Sequence, residues 1–598
     1  MSEKRIPRRN EVAEADTWNL KDMFESDEAW MTEYEALKAL PARIESFKGH
    51  LADDAETLLS FMEESDEISL RLEPFYGYAS CKRDQDTANS FYQDLVGRAS
   101  ALATAVAGAS SFASSEIMAI DDDTLNLFYI AQPKLETYRR VIDSIRRRAA
   151  HILSPAEEKL LAAAGEMAGS PSKISSAFRD ADMKFPSVKD SDGAEHQLTN
   201  GTFVSLEESA DRALRENAFK AYYGRMGEFK NTSAAFLDGE FKKRCFYSAA
   251  RKYPDTLNAK LDGTEVPEAV YTNLIDSVHK NLDKMYRYVA LRKKLLGVDE
   301  LHMYDVYTPI VPDVSRKISF SEAKDTVISA LGVLGEDYIS TMCRAFDERW
   351  IDIYENEGKR GGAYSTGSSR PHPYVLLNHK DDLNSMFTLA HELGHAMHSY
   401  YSTENQPVCT SDYVIFVAEV ASTCNEILLM RYLLDRTEDK KERAYLINHF
   451  LDSFKGTVYR QTMFAEFELI MGRMAENDQT LTADALCEKY LELNRLYFGP
   501  DMISDDEISL EWTRIPHFFY NYYVFQYATG FSAAACIANR ILSGEESAIS
   551  DYKRFLSGGS STDPISLLKL AGVDMSTSEP IDSALELFGE LVDEMAAL

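Results

Sequence analysis

The sequence has no C-x-x-C pair and no run approaching the eighteen or so consecutive apolar residues that a bilayer span requires. Its seven cysteines, Cys81, Cys245, Cys343, Cys409, Cys424, Cys487 and Cys536, are odd in number and scattered. That pattern excludes a disulfide framework and agrees with a reducing compartment. The opening stretch, MSEKRIPRRNEVAEADTW, is basic and then acidic, without the apolar core of a secretory signal. A cytoplasmic location is therefore expected. Positive charge is also short: 64 Lys and Arg stand against 97 Asp and Glu, a net charge of −33. Such a surface repels phosphate backbones and anionic lipid, so nucleic acid and membranes are not the expected partners. No fixed-period repeat argues for a solenoid.

What is present is a chain of 598 residues, 45% hydrophobic and 27% charged, the balance of a soluble globular protein. A chain of this length can bury a core without a disulfide or metal to hold it. Most of it reads as helix. Stretches 56–80 and 268–297 repeat apolar residues at three- and four-residue spacing and are rich in Ala, Leu, Glu, Lys and Met. The acidic run Asp121–Asp123 reads as a solvated turn before a helix. The pattern breaks at 168–202. There Ser170-Pro171-Ser172 interrupts the helix, and Asp192-Gly193 lies between two strand-like stretches, predicting a hairpin. A boundary near residue 200 is expected, with a helical region over 1–200 and the chemistry in 201–598. A second break, 358–379, puts Gly361, Gly362 and Gly367 in a loop before the β-like run Tyr374–Leu377. Pro371 and Pro373 make that run an expected edge strand. It is either a surface loop or an edge able to pair with an extended peptide.

The chemistry is concentrated in Phe387–His398, FTLAHELGHAMH. It contains H-E-x-x-H in a segment that reads as helix, with Asp381, Asp382 or Asn384 available to cap its start. Residues four apart share a helix face, so His391 and His395 can present imidazole nitrogens to one ion. Glu392 is placed to take a proton from a water at that ion. Imidazole suits zinc, and a catalytic zinc takes three protein ligands and leaves one position open. The longer H-E-x-x-H-x-x-G-x-x-H pattern fails, because residue 398 is histidine and residue 401 tyrosine.

A downstream carboxylate must then supply the third ligand. Glu419 is the best candidate. If the first helix ends near Tyr401 and a second runs over 413–435 antiparallel to it, His395 and Glu419 fall at matching heights. Glu426 lies two turns further along the same face, where it could orient a ligand from behind. Val417, Val420, Ala421, Ile427 and Leu428 make that face apolar, and two carboxylates there call for a cation. His398 reads as a packing or supporting residue, and Glu404, in the connecting loop, as a weaker ligand candidate. Further on, Tyr520, Tyr523 and Tyr527 have the spacing of one helical stripe beside His517. Phenols and an imidazole aimed at a developing oxyanion would stabilise it, whereas Tyr522 falls off the stripe and reads as packing.

These stretches resemble a known family. HELGHAMHSYYS, FVAEVASTCNEILL and RIPHFFYNYYVFQYATG look like the oligoendopeptidase F branch of the thimet-oligopeptidase-like zinc metallopeptidases. So do DTWNLKDMF, SADRALRENAFKAY and RWIDIYENEGKRGGAYSTGSSRPHPYVLLN, so the resemblance spans nearly the whole chain. It implies a mainly α, two-lobed fold around a deep channel, with a small β element next to the zinc helix. It also implies endopeptidase action on short unstructured peptides, as a monomer or homodimer. Carried over, His391, His395 and Glu419 would bind one Zn2+ per chain, and Glu392 would activate water. His517 with Tyr520, Tyr523 or Tyr527 would hold the scissile carbonyl. The Gly361–Leu377 segment would align substrate, with Gly362, Ala363, Tyr364 and His372 as its contacts. The thimet branch has Pro-Ser-Gln where this chain has Ala421-Ser422-Thr423, a difference expected to affect packing more than metal binding.

Two other readings compete. An exopeptidase would need a fixed cation for a terminal carboxylate, and Arg514 or Arg370 could serve. A non-catalytic zinc-containing peptide-binding protein would need no complete set of ligand, base and oxyanion donors.

Overall fold

A computed structural model describes residues 5–311, 316–366 and 370–598. Gly367 lies outside the described residues. Helices dominate, as the periodicity predicts, and the described strands form small sheets of two or three short strands. The stretch expected over 56–80 is a helix running Ala55–Gln85, capped by Asp54 through its bond from the Thr57 amide. The acidic run also behaves as expected: Asp121 caps the helix Asp122–Ala131, accepting from the Thr124 amide at 2.9 Å. The stretch 268–297 is not one helix. It divides at Asn281 into Glu268–Lys280 and Leu282–Leu296, and the Asn281 amide is bonded to the Ser277 carbonyl and to Asp582. The expected interruption is present: the helix Pro155–Ala168 ends just before Ser170-Pro171-Ser172, and Pro171 opens a new short helix. It lies in the first turn of Ser170–Ser176, where a missing N–H costs nothing.

The chain divides into two compact units, each assembled from separated stretches. The first comprises Met1–Ala150, Ser315–Leu429 and Ile537–Gly572; the second comprises His151–Val314, Met430–Cys536 and Val573–Leu598. Residue 200 falls inside the second unit.

In the first unit a continuous apolar core runs from Trp18 to Ile142 and takes in Tyr374 and Leu376 from the second β region. There, Val375–Leu376 pairs parallel with Ile351–Asp352 on one side and antiparallel with Tyr364–Ser365 on the other. The expected edge strand is therefore the central one. Tyr374 to Leu377 are each 2% exposed or less, and burial on both faces favours a central position. The outer strand on the antiparallel side is Tyr364–Ser365, and the segment leading to it is braced. The Lys359 ammonium is fully buried and donates to the carbonyls of Asp352, Tyr354 and Leu377 while pairing with Asp352 at 2.7 Å. Asp84 accepts from the Tyr364 hydroxyl at 2.9 Å.

In the second unit the expected hairpin is present: Val188–Lys189 pairs antiparallel with Glu195–His196, and Gly193 takes φ +83° in its turn. Asp305, fully buried, pairs with Arg215 at 2.8 Å and Arg212 at 3.1 Å.

Candidate active site

The histidine helix runs Leu383–Asn405. Of the three expected caps, Asp382 serves, accepting from the Ser385 amide at 2.7 Å. The helix continues one turn past Tyr401, and the carboxylate helix, Ile415–Leu434, follows after a short 3-10 turn at Val408–Thr410. His395 and Glu419 are thus not equidistant from the connection. They meet because the intervening segment does not place the two helix ends at the same height. The antiparallel register is fixed by side contacts. Asn425 donates to the Ala390 carbonyl at 3.1 Å, Gly394 faces Ser422, and His395 faces Glu419.

This register brings three donor atoms together. His391 Nε2 and His395 Nε2 are 3.1 Å apart, and Glu419 Oε2 lies 3.4 Å from the first and 3.6 Å from the second. Two donors each about 2.0–2.1 Å from an ion, at the tetrahedral angle, stand about 3.3 Å apart. The triangle therefore has the dimensions of one face of a tetrahedral zinc site, and its donor set (two imidazoles and a carboxylate) is the chemistry such a site uses. These three residues form the metal-competent cluster among the described residues.

Behind the triangle, Glu426 accepts from His391 Nδ1, which fixes the tautomer that turns Nε2 toward the ion position. Glu392 is 7% exposed and Oε2 has no hydrogen-bond partner, while the Ser365 amide of the outer strand faces its carboxylate. Burial lifts the Glu392 carboxyl to about 7, against the pull of His391 and with help from Glu419. Burial also opposes charge on His391, yet the Glu426 hydrogen bond and the charges of Glu426, Glu392 and Glu419 outweigh it and hold the imidazole up at about 9. His395 is pushed down to about 4 by burial and by the neighbouring His391 charge. Three carboxylates around two imidazoles thus favour added positive charge at this point.

His398 is not part of the cluster. It is fully buried, stacked on Tyr413 at 3.7 Å, and burial pushes it down to about 3, so it packs as a neutral ring. His372 is 4% exposed, stacked on Trp350 at 4.7 Å, and bonded through its nitrogens to Asp22 and the Pro373 carbonyl. It is held inside the unit rather than offered to a peptide, a correction to its expected role as a substrate contact. Gly362 and Ala363, by contrast, border a cavity of about 230 Å³ shared with Asn378, Asn384, Ser385 and Thr388.

His517 and the tyrosines belong to the second unit. The expected helical stripe is absent. His517 sits in a 3-10 turn, Pro516–Phe519; Tyr520 and Tyr523 lie in the following loop; only Tyr527 is on the helix Phe525–Leu542. The loop nevertheless gathers them. The His517 ring lies 5.4 Å from Tyr520, 6.4 Å from Tyr523 and 6.1 Å from Tyr527. Burial, with Arg179 nearby, lowers the His517 pKa, which keeps the ring neutral at neutral pH. Tyr522 is buried, as expected, with its hydroxyl 2.8 Å from Thr256 Oγ1.

Comparison with known proteins gives the family. The description "Peptidase family M3" matches residues 205–587, and "Oligopeptidase F" matches residues 116–185. The chain belongs to peptidase family M3. It is 47% identical over 99% of its length to oligopeptidase PepF of Bacillus subtilis, covering 88% of that protein. A crystal structure of an oligoendopeptidase-F from Enterococcus faecium superposes with a TM-score of 0.75 at 38% identity, covering 96% of this chain and 99% of that one. A solved chain from Chlamydophila abortus gives a TM-score of 0.93 at 34% identity, covering 99% and 100% respectively. The M3 chain described here is a metalloendopeptidase of the oligoendopeptidase F type, mainly α, that acts on oligopeptides. Among its described residues no helix is long and apolar enough to cross a membrane.

Some contributors left no readable trace in the sequence. Lys359 is one charge among many until its surroundings are seen, and the Ser365 amide has no side-chain signature at all. Gly394 did carry a signal: a glycine inside a helix costs about 1 kcal/mol relative to alanine and calls for a packing reason.

Proposed function

We propose that this M3 peptidase is a zinc-dependent endopeptidase in which His391, His395 and Glu419 hold one zinc ion and Glu392 is the general base. The observation that carries this is the triangle of Nε2, Nε2 and Oε2 atoms with tetrahedral-face dimensions, beside a buried carboxylate with an unpartnered oxygen. A zinc ion in that position supplies Lewis acidity toward the scissile carbonyl and lowers the pKa of water toward neutrality.

The protein's residues do the rest. Glu392 takes the proton from the attacking water and later delivers it to the departing amine, the two transfers a positioned carboxylate makes. Glu426 holds the His391 ring in its ligating tautomer. His517 and one or more of Tyr520, Tyr523 and Tyr527 donate hydrogen bonds to the oxygen on which negative charge develops, a term worth about 10²–10³ in rate per donor. The outer strand, with Gly362, Ala363 and Tyr364, pairs with the peptide backbone, which orients substrates with little regard to side chain. An acidic chain with scattered thiols suits a cytoplasmic setting.

The exopeptidase reading loses its fixed cation. Arg514 is paired with Glu511 at 2.9 Å in a buried network, and Arg370 lies 3.6 Å from Glu73. Product mapping on a nonapeptide quenched-fluorescence substrate should show internal cleavage.

The deciding experiment is Glu392→Gln. Its zinc content should match wild type while kcat falls by about 10²–10⁴, the usual worth of a positioned general base. Wild-type turnover with zinc retained would overturn the assignment, and chelator-resistant activity in the wild type would remove the metal altogether.

A further inference from the structure

The loop that carries His517, Tyr520 and Tyr523 has a backbone that does not hold its own shape. Asn521 and Tyr522 both adopt left-handed conformations, φ 56° and 51°. For a residue with a bulky side chain this costs on the order of 1–3 kcal/mol and persists only where the surroundings over-determine it.

Two buried charges supply that determination. Arg244, on the helix Lys230–Ala250, is 5% exposed; Glu468, on the helix Arg460–Glu476, is fully buried. They pair through Arg244 Nη1 and Glu468 Oε1 at 2.7 Å. The other guanidinium nitrogen, Nη2, donates to the Phe518 carbonyl, and the same Glu468 Oε1 accepts from the Tyr522 amide at 2.7 Å. The pair therefore grips the loop at both ends, with Tyr520 between the two grips. A third fixture acts on Tyr522 itself. Its ring lies 5.6 Å from the Arg244 guanidinium, its hydroxyl bonds Thr256, and it fills a slot opened by Gly472, where any Cβ would overlap the phenol.

A buried ion pair is a poor device for stability alone, because desolvating two charges offsets most of their attraction and an apolar pair would serve as well. What an apolar pair could not do is bond a carbonyl and an amide four residues apart. We propose that Arg244 and Glu468 are positioning residues for the transition-state donors, holding the Phe518–Tyr522 loop so that His517, Tyr520 and Tyr523 are presented together. The proposal rests on the donor role assigned above to those side chains.

The test is a set of double-mutant cycles on the zinc-loaded enzyme. Arg244→Lys keeps the charge but loses the fork whose separate nitrogens reach Glu468 and Phe518; Glu468→Gln keeps an acceptor for Tyr522 and removes the charge. Each should lower kcat, per zinc-loaded molecule, by roughly 10- to 100-fold with KM little changed, since displacement of catalytic groups by about 1 Å costs this much. In a His517→Gln, Tyr520→Phe, Tyr523→Phe background the same substitutions should cost less than about threefold, because the groups they position are gone. Equal losses in both backgrounds would mean that the pair acts through general destabilisation, and would overturn the proposal. Wild-type kcat in Arg244→Lys and Glu468→Gln, with the donor variants impaired, would overturn the clamp alone. Wild-type kcat in the donor variants would overturn the donor role and the clamp with it.

Discussion

Gly394 on the histidine helix lies against Ser422 on the carboxylate helix so closely that a Cβ at residue 394 would stand 2.5 Å from the Ser422 Cα and 2.7 Å from the Ala421 carbonyl. No side chain can give way there, because both neighbours are backbone. The contact sits between the Ala390–Asn425 bond on one side and the His395–Glu419 approach on the other, so it sets the separation at which three ligands reach one point. Gly394→Ala should therefore push the helices apart, at a cost of about 1–3 kcal/mol from overpacking. Zinc content measured by mass spectrometry should drop well below one per chain. Full zinc occupancy and activity would show that the separation is not critical.

Glu426 should matter for metal more than for folding. Removing the carboxylate that fixes a ligating histidine typically weakens metal binding by about 10–100-fold. Competition of Glu426→Gln with a zinc chelator should show a loss of this size, with the thermal midpoint of the apoprotein nearly unchanged. An unaltered zinc affinity would argue that the His391 ring is held by its packing.

If the outer strand pairs with substrate backbone, removing single amide donors from the peptide should be costly while side-chain changes are not. A peptide N-methylated at the paired position should lose about tenfold in kcat/KM, the worth of one hydrogen bond. Uniform tolerance of N-methyl groups along the peptide would exclude strand pairing.

Asp305 gives a pH-dependent stability test. Burial alone would raise its carboxyl, but the bonds from Arg212 and Arg215 outweigh burial and hold it below the ordinary aspartate range. A carboxylate depressed in the folded state stabilises above its unfolded pKa, near 3.8, and that contribution is lost as pH falls through the folded value. Asp305→Asn should cost about 3–5 kcal/mol at pH 7, the price of leaving the buried Arg215 without its carboxylate. In denaturant titrations the gap between wild type and variant should narrow as pH drops below about 4. A gap that widens on acidification would reverse the assigned sign.

The net charge of −33 predicts selective screening. Added salt should slow turnover of cationic peptides more than that of neutral ones, because attraction by an acidic surface fades over a Debye length of about 8–10 Å. Equal salt sensitivity for both would confine the charge to a role in solubility.

The helical class and the gathering of His391, His395 and Glu419 at one point were legible in the sequence, because spacing along one helix sets the histidine pair and an adjacent helix carries the carboxylate. Periods of three and four residues are local geometry and need no tertiary information. The Asp192-Gly193 hairpin and the Asp121 cap were readable for the same reason: each is decided by a few neighbouring residues.

Where the reading failed, distant contacts had overruled local preference. Prolines suggested an edge for Tyr374–Leu377, but flanking strands from residues 351 and 364 bury it in the centre. Helical spacing suggested a tyrosine stripe, but a buried arginine and glutamate from two other helices hold the chain in left-handed turns that no local rule predicts. The resemblance implied His372 as a substrate contact, and stacking on Trp350 holds it inside. The sequence by itself thus determined which atoms could bind a metal and move a proton. Only the tertiary structure decided how far apart those atoms stand and which loop conformations are kept, because both depend on close packing and buried hydrogen bonds between residues far apart in the chain.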